Sequence, residues 1–123
     1  MATVKSFEEL KVWQEASQFA VEMYHVTGMK SSNFDRDLAS QLRRASTSIP
    51  SNIAEGFEKN SRKEFIRYLY IAKGSAGEVR TQLHLAKALN YLTQKSFDEL
   101  YARIVYVSSM ISKLINYLKS KAE

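Results

Sequence analysis

The stretch Ala45–Phe57, ASTSIPSNIAEGF, decides the fold. It holds the only proline of the chain, four hydroxyl side chains between Ser46 and Ser51, and Gly56, directly after the basic pair Arg43 and Arg44. Three readings compete: a catalytic turn, a phosphate cradle, or a helix that passes through a proline. Leu38, Leu42, Ala45, Ile49, Ile53 and Gly56 fall near one helical face, and the phase is kept across Pro50. Unbroken phase predicts one helix, bent at Pro50. The proline removes a backbone donor and crowds the Ser46 carbonyl, at about 3 kcal/mol in a regular helix interior. The hydroxyls of Ser46 and Thr47 are expected to bond nearby carbonyls and soften that cost. Gly56 permits close packing or a nearby helix end.

Working outward, three segments share the S-x-x-E spacing of a capping box: Ser6 with Glu9, Ser61 with Glu64, and Ser96 with Glu99. Each precedes an apolar run of three-four period. Val12, Trp13, Ala16, Phe19, Ala20, Met23 and Val26 mark the first helix, with Gly28 as its C-cap and Trp13 as a structural anchor. Ser31, Ser32 and Asn33 are the candidate caps of the second. The third carries Phe65, Tyr68, Leu69, Ala72, Ala76, Val79, Leu83 and Ala86; small residues at Ala72, Gly74, Ala76 and Gly77 allow a close neighbour. Phe97, Leu100, Tyr101, Ile104, Val107, Ile111, Leu114, Ile115 and Leu118 mark the fourth. Helices are thus expected over about 7–27, 33–58, 62–91 and 97–120. Short connections make an all-α, antiparallel up-and-down four-helix bundle the simplest fold, in one domain over 1–123.

Composition agrees with this class. At 123 residues the chain can build a full core, and 45% hydrophobic with 25% charged residues, one Pro and four Gly disfavour disorder and turn-rich β folds. There is no Cys, which removes disulfides, thiolate metal sites and a cysteine nucleophile. No run approaches the roughly 18 apolar residues of a membrane span. The N-terminal segment turns charged without an apolar export core. A soluble cytoplasmic protein without a membrane role is expected. The formal charge of +5 favours an anionic partner.

Catalytic constellations are weak. Glu22 and His25 have the Glu-x-x-His spacing of di-iron bundles, but the only other histidine, His84, follows Thr81 rather than a Glu at that spacing, so no metal or other cofactor is expected. Ser46, Ser48 and Ser51 lack an adjacent base and orienting group in the local pattern. Gly56, Gly74 and Gly77 form neither a Walker nor a dinucleotide pattern. A non-enzyme is expected.

The basic residues carry the remaining chemistry. Arg43 and Arg44 lie on helix 2, and Arg62, Lys63 and Arg67 open helix 3. Arg62, Lys73, Arg80 and Lys87 are spaced so that one side of helix 3 carries all four. Such a stripe can track phosphates without reading bases. The alternative is a solvated face paired with Glu55, Glu58, Glu64 and Glu78. Apolar residues beyond the core stripes, Ile71, Leu85 and Leu89 on helix 3 and Tyr106, Met110 and Tyr117 on helix 4, suggest a subunit interface rather than a wide core.

With the helices laid out, FEELKVWQEA, SQLRRASTSIPSNIAEGF and EFIRYLYIAKGSAGEVRTQL carry a resemblance to the four-helix-bundle family of 23S rRNA intervening-sequence proteins. That family also includes relatives of the accessory variability protein of diversity-generating retroelements. The resemblance covers about Phe7 to Leu118. It implies a cytoplasmic bacterial protein, a ring-like homo-oligomer, most simply a pentamer, and no enzyme activity. It also implies binding to structured RNA or to a nucleic-acid-handling protein such as a reverse transcriptase. By position, the family's basic residues fall on Arg43, Arg44, Arg67, Lys73 and Arg80. The chain departs from many relatives at Ser31 and Asp37, where they carry Pro and Gly.

Overall fold

A computed structural model describes residues 4–28 and 34–121. A 3-10 turn, Phe7–Glu9, precedes four α-helices: α1 Lys11–Gly28, α2 Arg36–Glu58, α3 Arg62–Ala88 and α4 Gln94–Ser120. Each helix packs on its neighbours in the chain, and α1 closes the ring against α4. The run is antiparallel throughout. The start of α3 meets the end of α4, where Arg62 donates to the Lys121 carbonyl, and the end of α3 meets the start of α4, where His84 packs on Phe97.

α2 is one helix with Pro50 inside it, as the unbroken apolar phase requires. Leu42, Ile49 and Ile53 from this helix are fully buried against Phe19 and Met23 of α1, Leu69, Val79 and Leu83 of α3, and Ile104 and Ile111 of α4. Around the proline, Thr47 donates to the carbonyls of Arg43 and Arg44 at 3.0 and 3.1 Å, and the Asn52 amide donates to the Ser48 carbonyl at 2.7 Å. Ser46 does not share in this. Its hydroxyl is buried without a partner among the described residues, contrary to expectation. Its side chain is fully buried.

Gly56 serves packing rather than termination. A Cβ there would stand 2.6 Å from the Tyr68 Cβ and 3.2 Å from Phe65 Cδ1, so α2 and α3 meet at backbone distance. The helix ends later, where Asn60 takes φ +53°. Asn90, at φ +64°, stops α3 three residues before the expected 91. Its amide bonds the Lys87 carbonyl and that of Tyr91 the Ala86 carbonyl, the double closure of a Schellman end.

Of the three capping boxes, only Ser61 caps, accepting from the Glu64 amide at 3.2 Å. Ser6 makes no side-chain cap; the chain forms the short 3-10 turn, passes through an extended Leu10, and begins α1 at Lys11 rather than 7. Phe7 is drawn instead onto Trp13, with ring centroids 5.3 Å apart. Ser96 is displaced as a cap because the Thr93 hydroxyl already accepts from its amide at 3.1 Å, so α4 starts three residues early. The cap of α2 is Asp35, whose carboxylate accepts from Leu38 at 2.9 Å. Ser31, Ser32 and Asn33 lie outside the described residues. Gly28 is the last residue of α1.

Candidate nucleic-acid interface

The register of α3 sets the candidate interface. Residues seven apart on an α-helix return to within about 20° of the same direction, and that direction is the seam with α4. Arg62 Nη1 reaches the Lys121 carbonyl at 2.8 Å. Lys73 lies beside Ser112 and Asn116. Arg80 Nε donates to the Tyr101 hydroxyl at 3.3 Å, and Lys87 Nζ sits 4.9 Å over the Phe97 ring. Lys119 of α4 joins them, donating to the Tyr70 hydroxyl at 2.7 Å. Adjacent members from Lys73 onward are about 10 Å apart along the axis at 1.5 Å per residue. That is about three phosphates along a strand with a 3.4 Å rise.

The carboxylate-paired alternative does not describe this seam. Among the described residues Lys73, Arg80 and Lys87 form no ion pair; Arg80 meets the ring and hydroxyl of Tyr101, Lys87 the ring of Phe97, and Lys73 borders Ser112 and Asn116. Glu55 accepts instead from the Tyr68 hydroxyl. Arg67 is the exception, held by Glu64 at 3.1 Å and lying 4.6 Å over Tyr68. Lys63 is exposed.

The hydrogen bond from Arg67 holds the Glu64 carboxyl below the usual carboxylate range; slight desolvation opposes it, and the charges of Arg67, Lys59 and Lys63 add to it. Because the folded value is depressed, the pair's contribution is present above the unfolded-state pKa and is lost as pH falls through the folded one. Arg67→Ala is expected to raise the Glu64 pKa towards its ordinary value, read by carboxyl NMR titration. An unchanged titration would mean that the pair does not persist in solution.

The basic residues of α2 and α3 lie on two different faces. Arg43 points to α1: its Nε donates to the Thr27 hydroxyl at 2.8 Å and its guanidinium lies 4.8 Å over Tyr24. Arg44 bonds Ser40 at 3.0 Å. Both border an open cavity of about 550 Å³ on the α1/α2 side, lined also by Arg36. The α1/α2 and α3/α4 seams share no helix. Arg36 carried no signal in the sequence, standing between Asp35 and Asp37; Lys119 was missed because its partner Tyr70 belongs to another helix.

The candidate interface residues also divide. Ile71 and Leu85 on α3, Leu89 at its C-cap and Tyr106 on α4 are exposed, from 42% to 57%. Met110 is half-buried and packs against the core, and Tyr117 is half-buried with Lys121 Nζ over its ring at 5.1 Å. Val21, Tyr70 and Val105 are further exposed apolar positions.

The serines of the opening stretch gather no catalytic set: Ser48 pairs with Ser75, Ser46 is buried, and Ser51 is exposed. No cluster of three metal-ligating side chains forms among the described residues. Glu22 lines a cavity between α1 and α4 with Val26, Glu99 and Arg103, while His25 is exposed. No helix among the described residues is long and apolar enough to cross a membrane.

No curated protein matches the chain. A solved structure of a protein with unknown function from the S23 ribosomal protein family of Bacteroides thetaiotaomicron is similar, at 25% identity and a TM-score of 0.74. The likeness covers 85% of this chain and 95% of that one. The sequence profile of the 23S rRNA-intervening sequence protein family matches residues 8–113, and over that span run the helix carrying Pro50, the Gly56 contact and the basic α3 seam. The chain belongs to the 23S rRNA-intervening sequence protein family.

Proposed function

We propose that this chain is a non-catalytic, cytoplasmic homo-oligomer, most simply a pentameric ring, that binds structured RNA or another nucleic acid through phosphates. The observation that carries the reading is the α3/α4 seam, where Arg62, Lys73, Arg80 and Lys87 stand in register along α3, with Arg80 and Lys87 set against Tyr101 and Phe97. Cations resting on aromatic faces remain charged and outward, as a phosphate-tracking surface requires. The family's association with an rRNA insertion supports the same partner class. The exposed Ile71, Leu85 and Leu89 supply apolar surface for self-association. A second reading is a scaffold whose basic face docks an acidic, nucleic-acid-handling protein.

The test is a titration against a structured RNA, a DNA duplex and a single strand at about 50 and 200 mM salt, with sedimentation velocity reporting the assembly. Four phosphate contacts per protomer give log–log salt slopes of about −2.8 for single strands and −3.6 for duplexes, or roughly a 50- to 150-fold loss of affinity between those salts. Lys73→Glu/Arg80→Glu/Lys87→Glu is expected to abolish most of that slope. Binding that is weak, salt-insensitive and indifferent to the charge reversals would remove the nucleic-acid reading and leave the scaffold.

A further inference from the structure

We propose that the α1/α2 cavity is a binding site for a phosphate monoester carried on a group of nucleoside size. It shares no residue with the α3/α4 seam and does not depend on it. Three guanidiniums, those of Arg36, Arg43 and Arg44, line one open cavity of about 550 Å³, and no acidic side chain lines it among the described residues. That volume lies within the range of small-molecule sites, about 300–1,000 Å³.

The central arginine is held in place before any ligand arrives. Arg43 Nε donates to the Thr27 hydroxyl at 2.8 Å, and that hydroxyl donates onward to the Met23 carbonyl at 2.7 Å from a buried position. Tyr24 supports the guanidinium from one face. A Cβ at Gly28 would stand 3.0 Å from Arg43 Nη2, so the absence of a side chain there leaves the terminal nitrogen its room. Two groups of α1, the Thr27 hydroxyl and the Tyr24 ring, therefore hold one α2 side chain, and Gly28 leaves it room. The Nη groups make no hydrogen bond to the described residues and can serve an acceptor in the cavity. A guanidinium fixed on its Nε and one face offers its remaining donors as a planar fork, the geometry that matches phosphate oxygens.

The charge count selects the ligand class. A carboxylate or a phosphodiester offers two unesterified oxygens and one charge, whereas a monoester offers three oxygens and close to two charges at neutral pH. Three guanidiniums are matched by the monoester. Arg44 Nη2 is placed by the Ser40 hydroxyl at 3.0 Å, leaving the hydroxyl proton available to a further acceptor. Phe34 lines the same cavity and gives an apolar wall to the organic part.

The experiment is calorimetric titration of the full chain with adenosine and uridine 5′-monophosphates and with the two nucleosides. A companion RNA octamer is used with a 5′-phosphate or a 5′-hydroxyl, in the Lys73→Glu/Arg80→Glu/Lys87→Glu background. The monophosphates are expected to bind at least about tenfold more tightly than the nucleosides, as charge-assisted hydrogen bonds of ordinary strength require. Arg36→Ala and Arg44→Ala, both at exposed side chains, are each expected to lose about tenfold in monophosphate affinity with the helical circular dichroism unchanged. Thr27→Val, which keeps the shape but releases Arg43, should weaken binding of the phosphate without changing nucleoside binding. Equal binding of nucleoside and monophosphate, or well-folded Arg36→Ala and Arg44→Ala proteins with unaltered affinity, overturns the site. Within a positive result, an octamer that gains over its hydroxyl twin and over the mononucleotide assigns an RNA end; one that does not assigns a free nucleotide. Monophosphate binding that survives the triple reversal separates this site from the seam. Salt-sensitive strand binding without it would sink the site alone.

Discussion

Gly56→Val is expected to lower stability by about 3 kcal/mol, at the upper end of the usual cost of overpacking, with a fall in Tm of roughly 12 °C for a chain of this size. The contact in its way is not a flexible side-chain end. A Cβ at this position meets the Tyr68 Cβ at 2.6 Å and lies 3.4 Å from the Phe65 Cα, so relief requires α2 and α3 to separate. Those two helices share the most extensive packing in the molecule. Helix propensity acts in the other direction, because Gly costs up to about 1 kcal/mol against better helix formers, and this gain is smaller than the clash. Thermal denaturation of Gly56→Ala beside Gly56→Val gives the check. Destabilisation that grows from Ala to Val confirms a steric origin, whereas stabilisation of both would show that the helix pair has room.

The second large effect is expected at the opposite helix. Phe19→Ala should cost about 3–5 kcal/mol, the range for deleting a buried aromatic side chain and leaving part of its volume empty. Phe19 is fully buried in the core cluster, and the Arg103 guanidinium of α4 lies 5.8 Å from its ring centroid. The α1/α4 contact is the least extensive of the four helix pairs that close the bundle, so few other contacts are available to compensate. Denaturant unfolding at fixed protein concentration measures the cost. A loss below about 1 kcal/mol, under the usual large-to-small range, would mean that α1 repacks freely and that the ring of four helices is loosely closed.

Much of this fold was legible because its signals are local. The three-four apolar period of Leu38, Leu42, Ala45, Ile49 and Ile53 depends only on helical geometry, and it identified the one stretch where a proline might have argued for a turn. The Ser61 cap and the common side of Arg62, Lys73, Arg80 and Lys87 follow from spacing within single helices in the same way. Helix ends were less legible. Thr93 and Asp35 cap first turns where neighbouring residues of equal capping chemistry would set other starts, and Asn60 and Asn90 stop helices through a left-handed backbone that no periodicity announces.

The candidate site required more than one helix. Sequence by itself determined which residues share a helix face, because that is fixed by a rise and turn common to every α-helix. Tertiary packing decided which faces meet. It turned Arg43 onto Thr27 and Tyr24 of α1, put Arg36 beside it, and sent the α3 basic stripe to the aromatic edge of α4. It also assigned Gly56 its task, since the Tyr68 and Phe65 atoms that forbid a side chain there lie on the next helix. Contacts between helices depend on how side chains of different segments interlock, and that information is distributed over the whole core rather than written at any one position.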